Sequence, residues 1–144
     1  MLGAADFEGV WTLERKIKDR KGAMNGTLAG QAVLAGDGAD RLIYREIGLL
    51  TLDSGAKLQA ERRYRWEFAT GRVQISFDDG RPFHDFMPQG QAAGSDHPCG
   101  ADHYSVLYDF TRWPQWQAVW TVTGPRKDYT STSLYRREAA TDLR

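Results

Sequence analysis

Apolar and polar residues alternate along several stretches of the chain. Residues 11–17, 58–68 and 73–77 each combine a mainly apolar set at every second position with a mainly polar set between them. A period of two places one set on one face of a β-strand and the other set on the opposite face. A helical period of 3.6 would scatter the same residues around a cylinder. The alternation therefore predicts strands.

Further strands are predicted between turn signals. The additional strand candidates are residues 27–34, 42–50, 104–110, 116–122 and 129–137. The turns between strands contain aspartate and glycine, which tolerate the backbone angles of tight hairpins. They are residues 36–38, 53–55, 70–71 and 78–80. Short strands at hairpin spacing predict an all-β fold, a single antiparallel up-and-down β-barrel of eight to ten strands.

The pattern predicts one domain over residues 1–144, with 138–144 as a short tail. Residues 88–101 are rich in Gly, Ala, Gln and Pro and are predicted to form a long loop. No domain boundary, internal repeat or low-complexity tract is evident.

Composition narrows the function classes. A hydrophobic fraction of 41% excludes a disordered chain, and nineteen basic residues balance nineteen acidic ones. That balance argues against nucleic-acid and membrane-surface partners. No run approaches the roughly 20 apolar residues of a membrane span. Cys99 is the single cysteine, and residues 1–6 lack the features of a signal peptide. A cytoplasmic monomer or small homo-oligomer is expected.

The sequence Gly9-Val10-Trp11 resembles the Gly-x-Trp opening of the lipocalin and calycin barrels. The resemblance implies that Trp11 closes one barrel end against an arginine of the last strand, either Arg136 or Arg137.

A longer series of motifs resembles an uncharacterised bacterial family, domain of unknown function 6314, which is expected to be calycin-like. The motifs are Gly9-x-Trp11, Tyr44-x-Glu46-x-Gly48, Arg63-Tyr64-x-Trp66, residues 77–84, residues 97–104 and residues 124–128. The resemblance implies a calycin-like and lipocalin-like barrel. It brings no established activity and no catalytic residues.

Three charged residues share faces with apolar ones. Arg15 alternates with Trp11 and Leu13, Glu46 with Tyr44, and Arg62 with Tyr64 and Trp66. If those faces point inward, the barrel encloses two guanidinium groups and one carboxylate. Buried charges must be paired, so they form an internal salt bridge or anchor a carboxylate or phosphate of a ligand. A register shifted by one residue would instead place all three in solvent.

Two histidines are further candidates. His84 follows an Asp-Asp-Gly-Arg turn and either belongs to a packed hairpin or points into the cavity, as an acid/base or ligand contact. The segment around His97 also holds Cys99 and Asp102, which are possible metal ligands with His84 as a third. It lacks the paired spacing of a zinc site, so no metal site is predicted. The other interpretations of this segment are a loop folded over the barrel mouth and, less readily, a cysteine–histidine nucleophile.

The leading hypothesis is a small-molecule-binding protein with a cavity inside the barrel. Its ligand is expected to be partly apolar or aromatic and anionic, and no cofactor is identified. The predicted ligand-binding residues are Arg15, Glu46, Arg62, Tyr64, Trp66, His84, His97, Asp102, Tyr104, Trp120 and Lys127. Arg15, Arg62 and Lys127 would neutralise the anion. The alternatives are an enzyme that pairs His84 or His97 with Asp102, a haem barrel with a histidine axial ligand, and an interaction module with a filled core.

Overall fold

The structure, a computed structural model, describes residues 1–138, so the predicted tail lies almost wholly outside the described residues. One short helix precedes eleven strands. They are α1 (Ala4–Phe7), β1 (Gly9–Asp19), β2 (Gly26–Gly36), β3 (Arg41–Leu52), β4 (Lys57–Ala69), β5 (Arg72–Phe77), β6 (Pro82–Phe86), β7 (Gln91–Ala93), β8 (His97–Cys99), β9 (Asp102–Asp109), β10 (Trp116–Thr123) and β11 (Asp128–Arg137).

All strands belong to one antiparallel sheet that curls into a nearly closed barrel. The order is β6-β5-β4-β3-β2-β1-β11-β10-β9-β7, and β8 also pairs with β9. The predicted all-β up-and-down barrel is confirmed. The strand number rises to eleven because β6 was not among the eight strand candidates and because the segment predicted as a loop, residues 88–101, contains β7 and β8, each three residues long.

The barrel closes between β6 and β9 through the segment that follows β7. The backbone N–H of Gly94 donates to the carbonyl of Val106 on β9 (3.0 Å), and that of Ser95 donates to the carbonyl of Asp85 on β6 (2.9 Å). The Ser95 hydroxyl also accepts from the Asp85 N–H (2.9 Å). This short seam satisfies backbone groups that an open sheet edge would leave unpaired.

The predicted inward faces are largely confirmed. Trp11, Leu13 and Arg15 of β1 are buried, and the residues between them are exposed. Two residues with the inward parity of β4 are exceptions: Leu58 is 49% exposed, and the side chain of Arg62 is 53% exposed. Both lie in the first half of β4, where the rest of the sheet leaves them in contact with solvent.

Aromatic packing closes one end of the barrel, here called the closed end. Phe7 of α1 is fully buried and makes edge-to-face contacts with four aromatic rings at 5.0–5.8 Å. The Trp11 indole donates to the Phe7 carbonyl (2.8 Å). These contacts hold α1 across the closed end.

The Gly-x-Trp prediction is confirmed with Arg137 as the partner. Its guanidinium lies 3.9 Å from the Trp11 ring centroid and donates to the carbonyls of Glu8 (2.8 Å) and Asp6 (2.6 Å). A side chain at Gly9, whose φ is +128°, would collide with that guanidinium. The glycine is therefore required by the closure. Arg136 instead faces Gln115 and Glu14.

The other end, here called the open end, carries the turns after β1, β3 and β5, the segment 94–101 and the turn between β10 and β11. No helix within residues 1–138 has the length and apolarity needed to cross a membrane.

Candidate functional site

A cavity of about 100 Å³ lies inside the barrel between the closed and open ends. Aromatic side chains dominate its wall. All six tyrosines of the chain and three of its five tryptophans line it. They are Tyr44, Tyr64, Tyr104, Tyr108, Tyr129, Tyr135, Trp66, Trp116 and Trp120. Aromatic residues with polar tips offer both apolar area and hydrogen bonds to a bound molecule.

An ion pair crosses the cavity wall from β1 to β3. Arg15 donates to both oxygens of Glu46 (2.6 and 3.0 Å), and its Nε–H donates to the Ser133 hydroxyl (2.7 Å). Arg15 is 6% exposed and Glu46 is 2% exposed. The internal salt bridge anticipated from the alternation is therefore formed, and bidentate geometry offsets much of its desolvation cost.

Two tyrosines extend this network. The Tyr44 hydroxyl donates to Glu46 Oε1 (2.6 Å) and lies 2.7 Å from the Tyr135 hydroxyl. Because Tyr44 gives its proton to the carboxylate, Tyr135 donates to Tyr44. Burial would raise the pKa of Glu46, but the hydrogen bonds and charge of Arg15 outweigh it and lower that pKa. Glu46 is thus held as a carboxylate.

Arg62 lies at the open end of the cavity rather than inside it. Its side chain is 53% exposed, and its Nε is 4.0 Å from Glu46 Oε2. The prediction that the barrel encloses both guanidinium groups is thus wrong for Arg62. Alternation identified its face correctly, but Arg62 stands one inward step nearer the open end than Tyr64, where the wall no longer covers a long side chain.

A β-bulge on β6 brings two consecutive residues into the cavity. Ile75 pairs with His84 but Ser76 pairs with Pro82, so Phe83 is the extra residue on β6. Both Phe83 and His84 line the cavity. In a regular strand one of them would point outward, and bulges commonly redirect side chains in this way.

His84 is buried and neutral. Its Nε2 is 2.8 Å from the Tyr108 hydroxyl, and its Nδ1 has no hydrogen-bond partner among the described residues. Burial lowers the pKa of His84 to about 3. The imidazole is therefore a poor general base near neutrality, where a catalytic base needs a pKa close to the working pH.

Eight of the eleven predicted site residues line the cavity, and three lie outside it. The eight are Arg15, Glu46, Arg62, Tyr64, Trp66, His84, Tyr104 and Trp120. Lys127 lies on the rim, where its ammonium donates to the Tyr104 hydroxyl (2.9 Å) and approaches Asp102 (3.4 Å). His97 pairs with Tyr104 on the neighbouring strand and contacts the ring of Phe83.

The structure does not form the acid/base pair considered for Asp102. Within residues 1–138, the one histidine–carboxylate contact joins His103 to Asp96 (3.2 Å). In the same part of the chain, no three His, Cys, Asp or Glu side chains come together as a metal site. Cys99 is exposed.

Several residues that line the cavity were not predicted from the sequence, notably Phe83, Tyr108, Ser131 and Ser133. The two serines alternate with Tyr129 and Tyr135 on β11, so their inward parity was visible. They were passed over because small hydroxyl residues do not mark a buried face. Phe83 gave no such signal, since alternation cannot reveal a bulge.

Comparisons with solved structures show the same fold. The S-type phycobiliprotein lyase CPES from Guillardia theta superposes with a TM-score of 0.70 and 8% identity, over 95% of this chain and 91% of that one. A de novo designed fluorescence-activating β-barrel superposes with a TM-score of 0.51 and 14% identity, over 96% of this chain and 100% of that one. At these identities the likeness shows the fold alone.

No curated protein matches the chain in sequence. A family match, in contrast, spans nearly the whole barrel, from Phe7 at the closed end to Arg137, which completes that closure. The chain belongs to the family of unknown function DUF6314, which matches residues 7–137.

Proposed function

We propose that this protein binds a small, anionic molecule with a partly apolar or aromatic body inside the barrel. The observation that carries the proposal is the charge balance of the cavity wall. Two guanidinium groups, Arg15 and Arg62, face one carboxylate, Glu46, while His84 is neutral. Arg15 already neutralises Glu46, so the half-exposed Arg62 at the open end is the cation that can pair with the anionic group of a ligand.

The rest of the wall supports an aromatic or apolar body for the ligand. Phe83 stacks on Trp120 at 5.0 Å and on Tyr64 at 5.6 Å, so flat surfaces border the cavity near Arg62. Offset stacking and edge contacts with such rings favour flat, unsaturated ligands.

The binding hypothesis is preferred over the enzyme and haem alternatives. The enzyme alternative required a histidine paired with Asp102, but Asp102 approaches Lys127 instead. A haem barrel requires much more space, since pockets for drug-sized ligands measure roughly 300–1,000 Å³. The cavity of about 100 Å³ is well below that range.

A cytoplasmic location and a small-molecule rather than nucleic-acid partner remain part of this proposal. They rest on the single cysteine and on the balance of nineteen basic and nineteen acidic residues.

Native mass spectrometry of freshly purified protein tests the proposal. We expect additional mass that disappears on denaturation, and we expect Arg62→Gln to retain less of it. Arg63→Gln is the matched control, because Arg63 is the next residue of β4, similarly exposed, and does not line the cavity. Equal retention by both variants would remove Arg62 from the site.

A further inference from the structure

The size of the cavity limits the ligand to about one ring. An apolar protein cavity of about 150 Å³ holds a benzene molecule. The cavity here is of the same order, about 100 Å³, and continues past Arg62 toward solvent. A ligand whose charged group stays at the open end therefore needs space inside only for a single ring.

The arginines of the cavity wall can bind one negative charge on that ligand. Arg15 is not available to the ligand, because three of its N–H groups donate to Glu46 and Ser133. Arg62 contacts Glu46 at only 4.0 Å through one nitrogen. Its side chain is 53% exposed, so its guanidinium can meet a planar, two-oxygen partner, and a carboxylate matches that fork.

The strand register gives the orientation. On β4 the inward residues Arg62, Tyr64 and Trp66 follow one another toward the closed end, at steps of about 7 Å. His84 is level with Trp66 because both pair with Ile75. A carboxylate at Arg62 would therefore place an attached ring beside Tyr64, above the level of His84.

We propose that the cavity binds a monocarboxylate carried on a single aromatic ring, ring-first, with its carboxylate on Arg62. The inference rests on the proposed function and deepens it. It excludes dicarboxylates as good ligands, because the second carboxylate would enter a wall that holds Glu46 and has no unmatched charge left. It also ranks neutral ring compounds below their acids, because they leave the charge of Arg62 unbalanced.

The test is a titration with benzoate, benzamide, terephthalate and octanoate, followed by the indole N–H signals in NMR spectra. Trp66, Trp116 and Trp120 line the cavity, whereas Trp11 and Trp113 belong to the closed end and serve as internal references. Benzoate is expected to shift the first three signals with a Kd of about 1 mM or lower. Benzamide and terephthalate should bind about two- to fivefold more weakly.

The variants decide between cavity binding and chance association. Arg62→Gln should weaken benzoate about two- to fivefold, while Arg63→Gln should leave its Kd unchanged. Benzoate that binds no more tightly than benzamide, or equally well to Arg62→Gln, would overturn the inference. If octanoate shifts the cavity indoles with the same dependence on Arg62 and benzoate does not, the proposed function stands and the aromatic ligand class fails. If no probe shifts them, both fail.

Discussion

Glu46 matters for stability because it neutralises a buried arginine. We expect Glu46→Gln to lower the free energy of unfolding by about 3–5 kcal/mol, since it leaves the Arg15 charge buried without a counterion. Urea denaturation measures the change. Glu61→Gln is the matched control, because it breaks another Arg–Glu pair, with Arg45 at 2.9 Å, in which both side chains are half exposed.

The control should cost less than about 1 kcal/mol, because solvent screens an exposed pair. Similar losses in the two variants would mean that water reaches Arg15 and that the cavity wall is less closed than the exposure of Glu46 indicates.

His84 should make the barrel sensitive to acid. Burial lowers its pKa to about 3 in the folded state, while the unfolded value is about 6.5. The unfolded chain therefore binds more protons between these values, so stability falls as the pH drops below about 6.5. This one group should remove about 2 kcal/mol between about pH 7.5 and about pH 5.

Urea denaturation of His84→Phe at both pH values checks this contribution. We expect the variant to lose about 2 kcal/mol less on acidification than the wild type. His103→Gln, which removes a half-exposed imidazole instead of a buried one, is the matched control. An unchanged pH dependence in His84→Phe would show that the imidazole is solvated.

At the residue scale, alternation predicted which face of a strand a residue occupies but not how deeply that residue is buried. Parity placed Arg15 and Glu46 on faces that could point inward, and an internal salt bridge was one of the alternatives left open there, since a buried charge needs a partner. Arg62 has the same parity but stands at the open end, because the wall around it is built by strands distant in sequence. Lys127 and Asp102 were predicted from the chemistry of their turn and loop rather than from parity, and they contact one another at the rim.

At the scale of elements, alternation predicted most strands but not the irregular ones. The faces of β1 and β10 follow it along their buried lengths. On β6 one extra residue changes the parity, and a bulge of this kind depends on pairing with β5 rather than on local sequence. β7 and β8 were missed because three-residue strands carry no measurable period.

The bulge places the ring of Phe83 in the cavity wall. Its ring is half-buried and stacks between Tyr64 and Trp120, so truncation should widen the open end. We expect Phe83→Ala to improve the binding of naphthoate relative to benzoate, measured by the same indole titration. The stability cost should be about 1–3 kcal/mol, below that of a fully buried phenylalanine.

Phe77→Ala is the control, because Phe77 stacks on Phe83 at 4.6 Å but does not line the cavity. It should lower stability without changing the ratio of naphthoate to benzoate affinity. A ratio that changes equally in both variants would assign the effect to general loosening rather than to Phe83.

At the scale of the whole molecule, each of the longer strands contributes to one shared interior. The first and last strands pair along their length, from Trp11 opposite Arg137 to Asp19 opposite Tyr129. The closed end therefore needs both ends of the described chain, and no part of the barrel can bury its aromatic face alone. This continuity predicts that the chain behaves as one domain.

One domain of this size should unfold in a single cooperative transition. We expect the indole signals of Trp113 at the closed end and Trp120 near the open end to vanish at the same urea concentration, together with the far-ultraviolet circular dichroism. Earlier loss of Trp120 would instead show that the open end melts separately. In that event the strands should separate first at the seam at Ser95, which joins β6 to β9 through few hydrogen bonds. Ser95→Ala should then increase the difference in urea concentration between the two transitions.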